Sequence, residues 1–106
     1  MIIAIYNRAE HRLTIQGHAH SGEPGHDLVC ASASMLAYTL AAFVKNAHQA
    51  KQVKKPAIKL DPGDTVIACK ARPDTKAAVS LVFDAICGGY ELLERDFPDN
   101  IVFNVI

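Results

Sequence analysis

The chain has 106 residues, half of them hydrophobic, which fits one domain with its own core and excludes a disordered segment. Eleven basic and eleven acidic residues cancel to zero net charge, which excludes the overall cationic surplus usual in a nucleic-acid binder. Three cysteines, Cys30, Cys69 and Cys87, are an odd number without a C-x-x-C pair, which excludes a disulfide framework and a paired-cysteine zinc knuckle.

The opening MIIAIYNRAE lacks a basic segment followed by a long apolar core, so no signal peptide is expected and a reducing, cytoplasmic setting is. Residues 2–6, IIAIY, are rich in β-branched side chains and read as a strand. NRAEH is polar and suits a turn. Residues 12–16, RLTIQ, alternate polar and apolar, as a second strand does. Two strands joined by a short polar loop predict a hairpin.

A glycine-rich loop follows over 17–26. Asp27 is a suitable N-cap, and the helix it opens is predicted over 28–50. That helix is apolar on more than one stripe. It is therefore expected to be buried on more than one side, against the sheet and against a second helix or another subunit, which predicts a homodimer. Its most apolar run, 28–44, is at the short limit for crossing a membrane and contains Ser32, Ser34 and Thr39; a buried helix is expected and no membrane contact. Lys45, Lys51, Lys54, Lys55 and Lys59 form a local basic stretch. It reads as a solvated helix end, where cations are favoured, and no direct nucleic-acid binding is expected.

Strands are predicted over 57–60 and 65–71, joined by the turn Asp61-Pro62-Gly63-Asp64. Pro73-Asp74 opens a second helix on which Val79, Val82, Phe83, Ile86, Tyr90 and Leu93 keep a 3.6-residue spacing. Gly88 and Gly89 interrupt that pattern and allow a close backbone contact, and Pro98 ends it. Residues 101–106, IVFNVI, form a last strand. The order ββαββαβ predicts an α/β fold, a two-layer sandwich of a mainly antiparallel sheet with two helices.

The chemistry concentrates in GHAHSGEPGHDLVC, residues 17–30. With Asp27 as cap, Cys30 falls in the first turn of the helix, where free N–H groups and the positive end of the dipole favour a nucleophilic thiolate. His18 ends the second strand, and a loop of a dozen residues can return its ring to the helix start as general acid and base. Backbone N–H groups near Cys30 are expected to hold an oxyanion. Gly17, Gly22 and Gly25 allow the loop unusual backbone conformations and movement over a bound peptide. Ser34 lies one turn beyond Cys30. It either bonds back to the i−4 carbonyl or faces the site. Cys69 and Cys87 read as core residues.

Two other readings of these residues remain open. His18, His20, His26 and Cys30 supply four metal-ligand types, although without the paired spacing of zinc sites. A module that binds a peptide without cutting it would also use such a loop.

The stretch resembles the ribosomal-processing cysteine proteases, Prp. Their pattern is GHA, a short variable loop, then G-x-D-x-V-C-A-x-x-S-x-L. Gly17-His18-Ala19, Gly25, Asp27, Val29-Cys30-Ala31, Ser34 and Leu36 match it at the same spacing. The resemblance implies a small α/β homodimer that removes the N-terminal extension of a bacterial large-subunit ribosomal protein, number twenty-seven. It implies a catalytic His18 and Cys30, supporting roles for Asp27 and Ser34, a substrate loop over 19–26 and no cofactor or metal. His20-Ser21 stand where members often have glycine and an aromatic, and Pro24 and His26 also depart. These changes fall in the substrate-facing loop and leave the natural target, ribosomal or phage, undetermined by the motif.

Overall fold

A computed structural model describes residues 1–19 and 27–106. The elements follow the predicted order: β1 (Ile2–Asn7), β2 (Arg12–Gln16), α1 (Leu28–Gln49), β3 (Val53–Asp61), β4 (Asp64–Ala71), α2 (Lys76–Asp96) and β5 (Ile101–Val105). In β1 and β2, Ile2, Ala4, Tyr6, Leu13 and Ile15 alternate into the core, and the two strands pair antiparallel with Ile3 opposite Gln16. Alternation fixes the register, because a slip of one residue would turn every apolar side chain to water.

The five strands form one sheet in the order β3-β4-β2-β1-β5. Every pairing is antiparallel except that of β1 with β5, which is parallel. The core lies between this sheet and the two helices. Phe83 stacks on Tyr6 at 5.5 Å between ring centroids, and Tyr90 on Phe103 at 6.2 Å. The result is the α/β sandwich that the element order predicts.

Boundaries differ where tertiary contacts override local signals. β3 begins at Val53, four residues before the predicted 57, although it contains Pro56. Proline has no N–H for a ladder, but β3 is an edge strand and its register shifts between Lys54 and Ala57, which absorbs the missing donor. α2 begins at Lys76, not at Pro73-Asp74. The Thr75 hydroxyl accepts from the Arg72 N–H at 3.0 Å and donates to the Gln52 carbonyl at 2.7 Å, so residues 73–75 close a turn against the α1–β3 connection. Gly88 and Gly89 do not interrupt α2. A Cβ on Gly89 would lie 2.6 Å from Leu36 Cδ2, so the missing side chain lets α2 pack closely on α1.

α1 buries one stripe, Val29, Ala33, Ala37, Leu40, Ala41, Val44 and Ala47. α1 packs on the sheet and on α2, as expected of a helix apolar on more than one stripe, while Leu28, Met35 and Tyr38 remain exposed on the single chain. α1 is long and apolar enough to cross a membrane by length and composition; in this fold it is a core helix.

His11, read from sequence as part of a polar turn, is buried instead. Its Nε2 lies 2.7 Å from Ser80 Oγ and its ring tilts on Phe83 at 5.5 Å. Burial, and then the neighbouring Lys76, push the imidazole below its ordinary 6.5, against the opposite pull of Asp84. The unfolded chain thus takes up this proton before the folded one. The stability is complete above about pH 6.5 and is lost as pH falls through the folded value. His11→Asn, which tolerates the left-handed φ of +47°, is expected to flatten the difference between melting temperatures at neutral and mildly acid pH. Thermal scans of both proteins check this, and an unchanged acid slope in the variant contradicts it.

Candidate active site

One end of the molecule gathers the end of β2, the start of α1, the β3–β4 turn and the α2–β5 turn. Asp27 caps α1 as predicted. Its Oδ1 accepts from the Cys30 N–H at 2.9 Å, and its carbonyl from the Ala31 N–H at 3.0 Å. Cys30 therefore occupies the third position of the helix, half-buried, with its backbone fixed by the cap. Two of the amides expected to serve an oxyanion are consequently occupied by Asp27.

The amide that faces the sulfur comes from the other side of the site. The Ala19 N–H donates to Cys30 Sγ at 3.2 Å. Residues 17–19 are held for this on three further contacts. The Gly17 N–H donates to the Gly63 carbonyl at 3.0 Å, the Met1 nitrogen to the His18 carbonyl, and Asn100 Nδ2 to the Ala19 carbonyl at 2.9 Å. Gly17 has φ +91°, and a Cβ there would lie 2.2 Å from the Met1 carbonyl oxygen, so this corner requires glycine.

His18, Cys30 and Ser34 line a single cavity of about 250 Å3 together with Gly17. The His18 ring lies against the β3–β4 turn. A Cβ on Gly63 would come 2.7 Å from His18 Nε2, so Gly63 (φ +71°) both makes the turn and leaves room for the imidazole. Ser34 does not follow Ser32 and Thr39, whose hydroxyls bond back to the Leu28 and Met35 carbonyls at 2.7 Å. It lines the cavity. Ala37, Tyr38 and Leu60 supply an apolar wall, and Asp61 and Asp64 stand at the rim, where Asp64 pairs with Lys59. That hydrogen bond raises the Lys59 ammonium above its usual range.

The structure thus brings His18, Cys30, Ser34 and Gly17 to one cavity, with Ala19 at the sulfur and Asp27 behind it. Gly22 and Gly25, assigned to the substrate loop, lie outside the described residues, as do His20 and His26 of the metal reading. Among the described residues no group of three or more histidines, cysteines and carboxylates is placed to hold a metal. Asn100 was not singled out from sequence, because nothing local marks a residue 81 positions from its partner. Gly63 was visible only as part of a turn.

A half-buried thiol at a capped helix start, met by a backbone N–H and sharing a cavity with an imidazole, is equipped for nucleophilic attack on a carbonyl. No curated protein sequence matches the chain. Its fold is similar to that of the S. aureus ribosomal processing protease Prp with a covalently linked product peptide, at TM-score 0.74 and 24% identity, covering 99% of this chain and 97% of that one. The same protease with a substrate peptide gives 0.66 and 23%, covering 99% and 97%. SMU.848 from Streptococcus mutans gives 0.66 and 23%, covering 99% and 91%. Residues 1–102 match the family described as cysteine protease Prp. The chain belongs to that family and is a cysteine protease.

Proposed function

We propose that this protease removes the N-terminal extension of the bacterial large-subunit ribosomal protein number twenty-seven, with Cys30 as nucleophile and His18 as its acid–base partner. The observation that carries the reading is the shared cavity, where the Ala19 N–H points at the Cys30 sulfur. The peptide binds extended, with apolar side chains against Tyr38 and Leu60. Cys30 sulfur, as thiolate, attacks the scissile carbonyl carbon, and the carbonyl π electrons move to oxygen. The intermediate collapses as protonated His18 delivers its proton to the departing amine, leaving an acyl thioester. His18 then takes a proton from water, the hydroxide adds to the thioester, and the acid product leaves as the thiolate re-forms. No metal or organic cofactor enters these steps. Asp27 holds the nucleophile's backbone, and Ser34 meets the peptide beside it. All three cysteines are free thiols, which suits a reducing cytoplasm.

Incubation with the extended ribosomal protein, followed by mass measurement of the products, tests the proposal. One cut that releases the extension, insensitive to a chelator, is expected. An uncut substrate, or activity lost on chelation, contradicts it. The sequence likeness to the family and the S. aureus structures with bound peptides support the substrate class.

Asn100 is a positioning residue in this scheme. Without its Nδ2, the Ala19 carbonyl loses a partner and the peptide unit facing Cys30 gains freedom. Asn100→Ala is expected to lower kcat by roughly tenfold, the worth of about 1.4 kcal/mol, with KM little changed. Cys30 alkylation should slow in parallel. A rise in KM alone would contradict the assignment.

The exposed stripe Leu28, Met35 and Tyr38 is where we place the contact of a homodimer. Light scattering at working concentration is expected to give twice the chain mass of 11.5 kDa, and Met35→Glu to return it to one. A monomeric wild type contradicts this.

A further inference from the structure

The end of the molecule opposite Cys30 differs in charge from the rest. It is formed by the β1–β2 turn, the α1–β3 connection and the β4–α2 connection, at the far end of the 22-residue α1, a distance of about 30 Å by helical rise. Folding gathers Arg12, Lys51, Lys54, Lys55, Lys70, Arg72 and Lys76 there from separate stretches of chain. They bound two adjoining concavities that share Lys55. One holds Arg12, Lys70 and Lys76; the other holds Lys51, Lys54 and Arg72.

These cations have few counter-charges. Among the described residues Arg12 meets Glu10 at 3.7 Å and Arg72 meets Asp74 at 3.1 Å. Lys51, Lys54, Lys55, Lys70 and Lys76 pair with no carboxylate among the described residues, whereas Arg8 and Arg95 elsewhere each hold one and Lys59 two. Lys45, further up α1, also has none among the described residues. Lys54 and Lys70 are direct cross-strand partners, an arrangement of like charges that disfavours the sheet. Lys51 and Lys55 also adopt left-handed φ of +60° and +48°, a region that favours glycine. Those φ values end α1, where the Lys51 and Gln52 N–H groups bond the His48 and Ala47 carbonyls, and shape the β3 irregularity, whereas the facing like charges only cost the sheet. A polyanion laid across both concavities would relieve the repulsion.

We propose that this surface docks the phosphate backbone of double-helical RNA. The concavities contain no Phe, Tyr or Trp on which an unpaired base could stack, which disfavours single strands. Lysine ammoniums act as point charges and suit backbone contact more than base reading. A duplex carries closely spaced phosphates with condensed counterions, whose release rewards each contact more than the sparser charge of an acidic peptide does. The neutral total of the sequence conceals this because Asp27, Asp61, Asp64 and Asp99 collect at the opposite end. A docked protease would keep its cavity open to solvent. The inference does not depend on which peptide is cut.

Anisotropy of a fluorescein-labelled RNA hairpin tests it on the intact protein. Neutralising about five phosphates predicts an affinity loss on the order of 10²–10³-fold between about 50 and 200 mM salt. Lys70→Glu replaces the like pair with an opposite one. It is expected to keep or raise the melting temperature and to leave peptide cleavage unchanged, while weakening RNA binding by at least about tenfold. Lys45→Glu is expected to change none of these. Absence of binding at low salt, or binding undiminished by Lys70→Glu, overturns the proposal. Competition by polyglutamate as strong as by RNA at equal charge also overturns it, and assigns the surface to an acidic protein.

Discussion

Cys30→Ala is expected to abolish peptide cleavage, by at least about 10³-fold, because it removes the atom we propose as nucleophile. The fold should survive. Cys30 sits at the edge of the core, its helix is capped through backbone atoms by Asp27, and alanine suits a helix. What the fold loses is a small volume and the acceptor for the Ala19 N–H. The expected change in melting temperature is therefore a few degrees at most. Cys30→Ser tests the same point more strictly. It keeps an acceptor for Ala19 but substitutes a hydroxyl that ionises far less readily than a thiol, so it should also be inactive. Cleavage by Cys30→Ala at the wild-type rate would remove the mechanism.

Gly63→Ala is the second large expected effect, and it acts through His18. The added Cβ would sit 2.7 Å from Nε2 and 3.1 Å from Cε1, so the imidazole must move. A displacement near 1 Å of a catalytic group costs about 10²-fold, and a loss of that order in kcat is expected. The substitution also places alanine at φ +71°, which destabilises the β3–β4 turn by about 1 kcal/mol. Gly63→Asn separates the two causes. Asparagine accepts the left-handed region, so stability should partly return. It still carries the Cβ, so activity should stay low. Recovery of activity together with stability in Gly63→Asn would mean that turn strain, not contact with His18, was responsible.

Much of the architecture was legible because it is written in local periodicity. The β-branched run IIAIY and the alternation in RLTIQ marked the first two strands, and the 3.6-residue recurrence of Val79, Phe83 and Tyr90 marked α2. Asp27 was legible as a cap because capping is a contact between near neighbours. Pro56 hid the start of β3, since a proline excludes a central strand but not an edge, and edge position is a property of the sheet. Gly88 and Gly89 were legible as a weak point suited to a close contact, but the partner, Leu36, was not, because it comes from another helix. The polar turn concealed that His11 is covered by α2.

The same division applies to the site. His18 and Cys30 stood out through residue type and the short segment between them. The site also depends on Gly63, which leaves room for His18 from the hairpin turn, and on Asn100, which holds Ala19 from the α2–β5 turn. Neither has a spacing relation to the motif that a single sequence can reveal. The basic end is invisible for a like reason: its lysines and arginines come from six separate elements and connections.

The most direct test of the account is the site and rate of alkylation. Burial raises the Cys69 thiol, and it pushes Cys87 up to about 12, helped by Asp84 and Glu91, so both should be inert in the folded protein. Iodoacetamide near neutral pH, followed by peptide mass mapping, should place one fast adduct on Cys30, and His18→Ala should slow its formation. If Cys30 reacts no faster than an unfolded cysteine, or if the rate is indifferent to His18, the imidazole and the sulfur do not work together and the proposed mechanism fails.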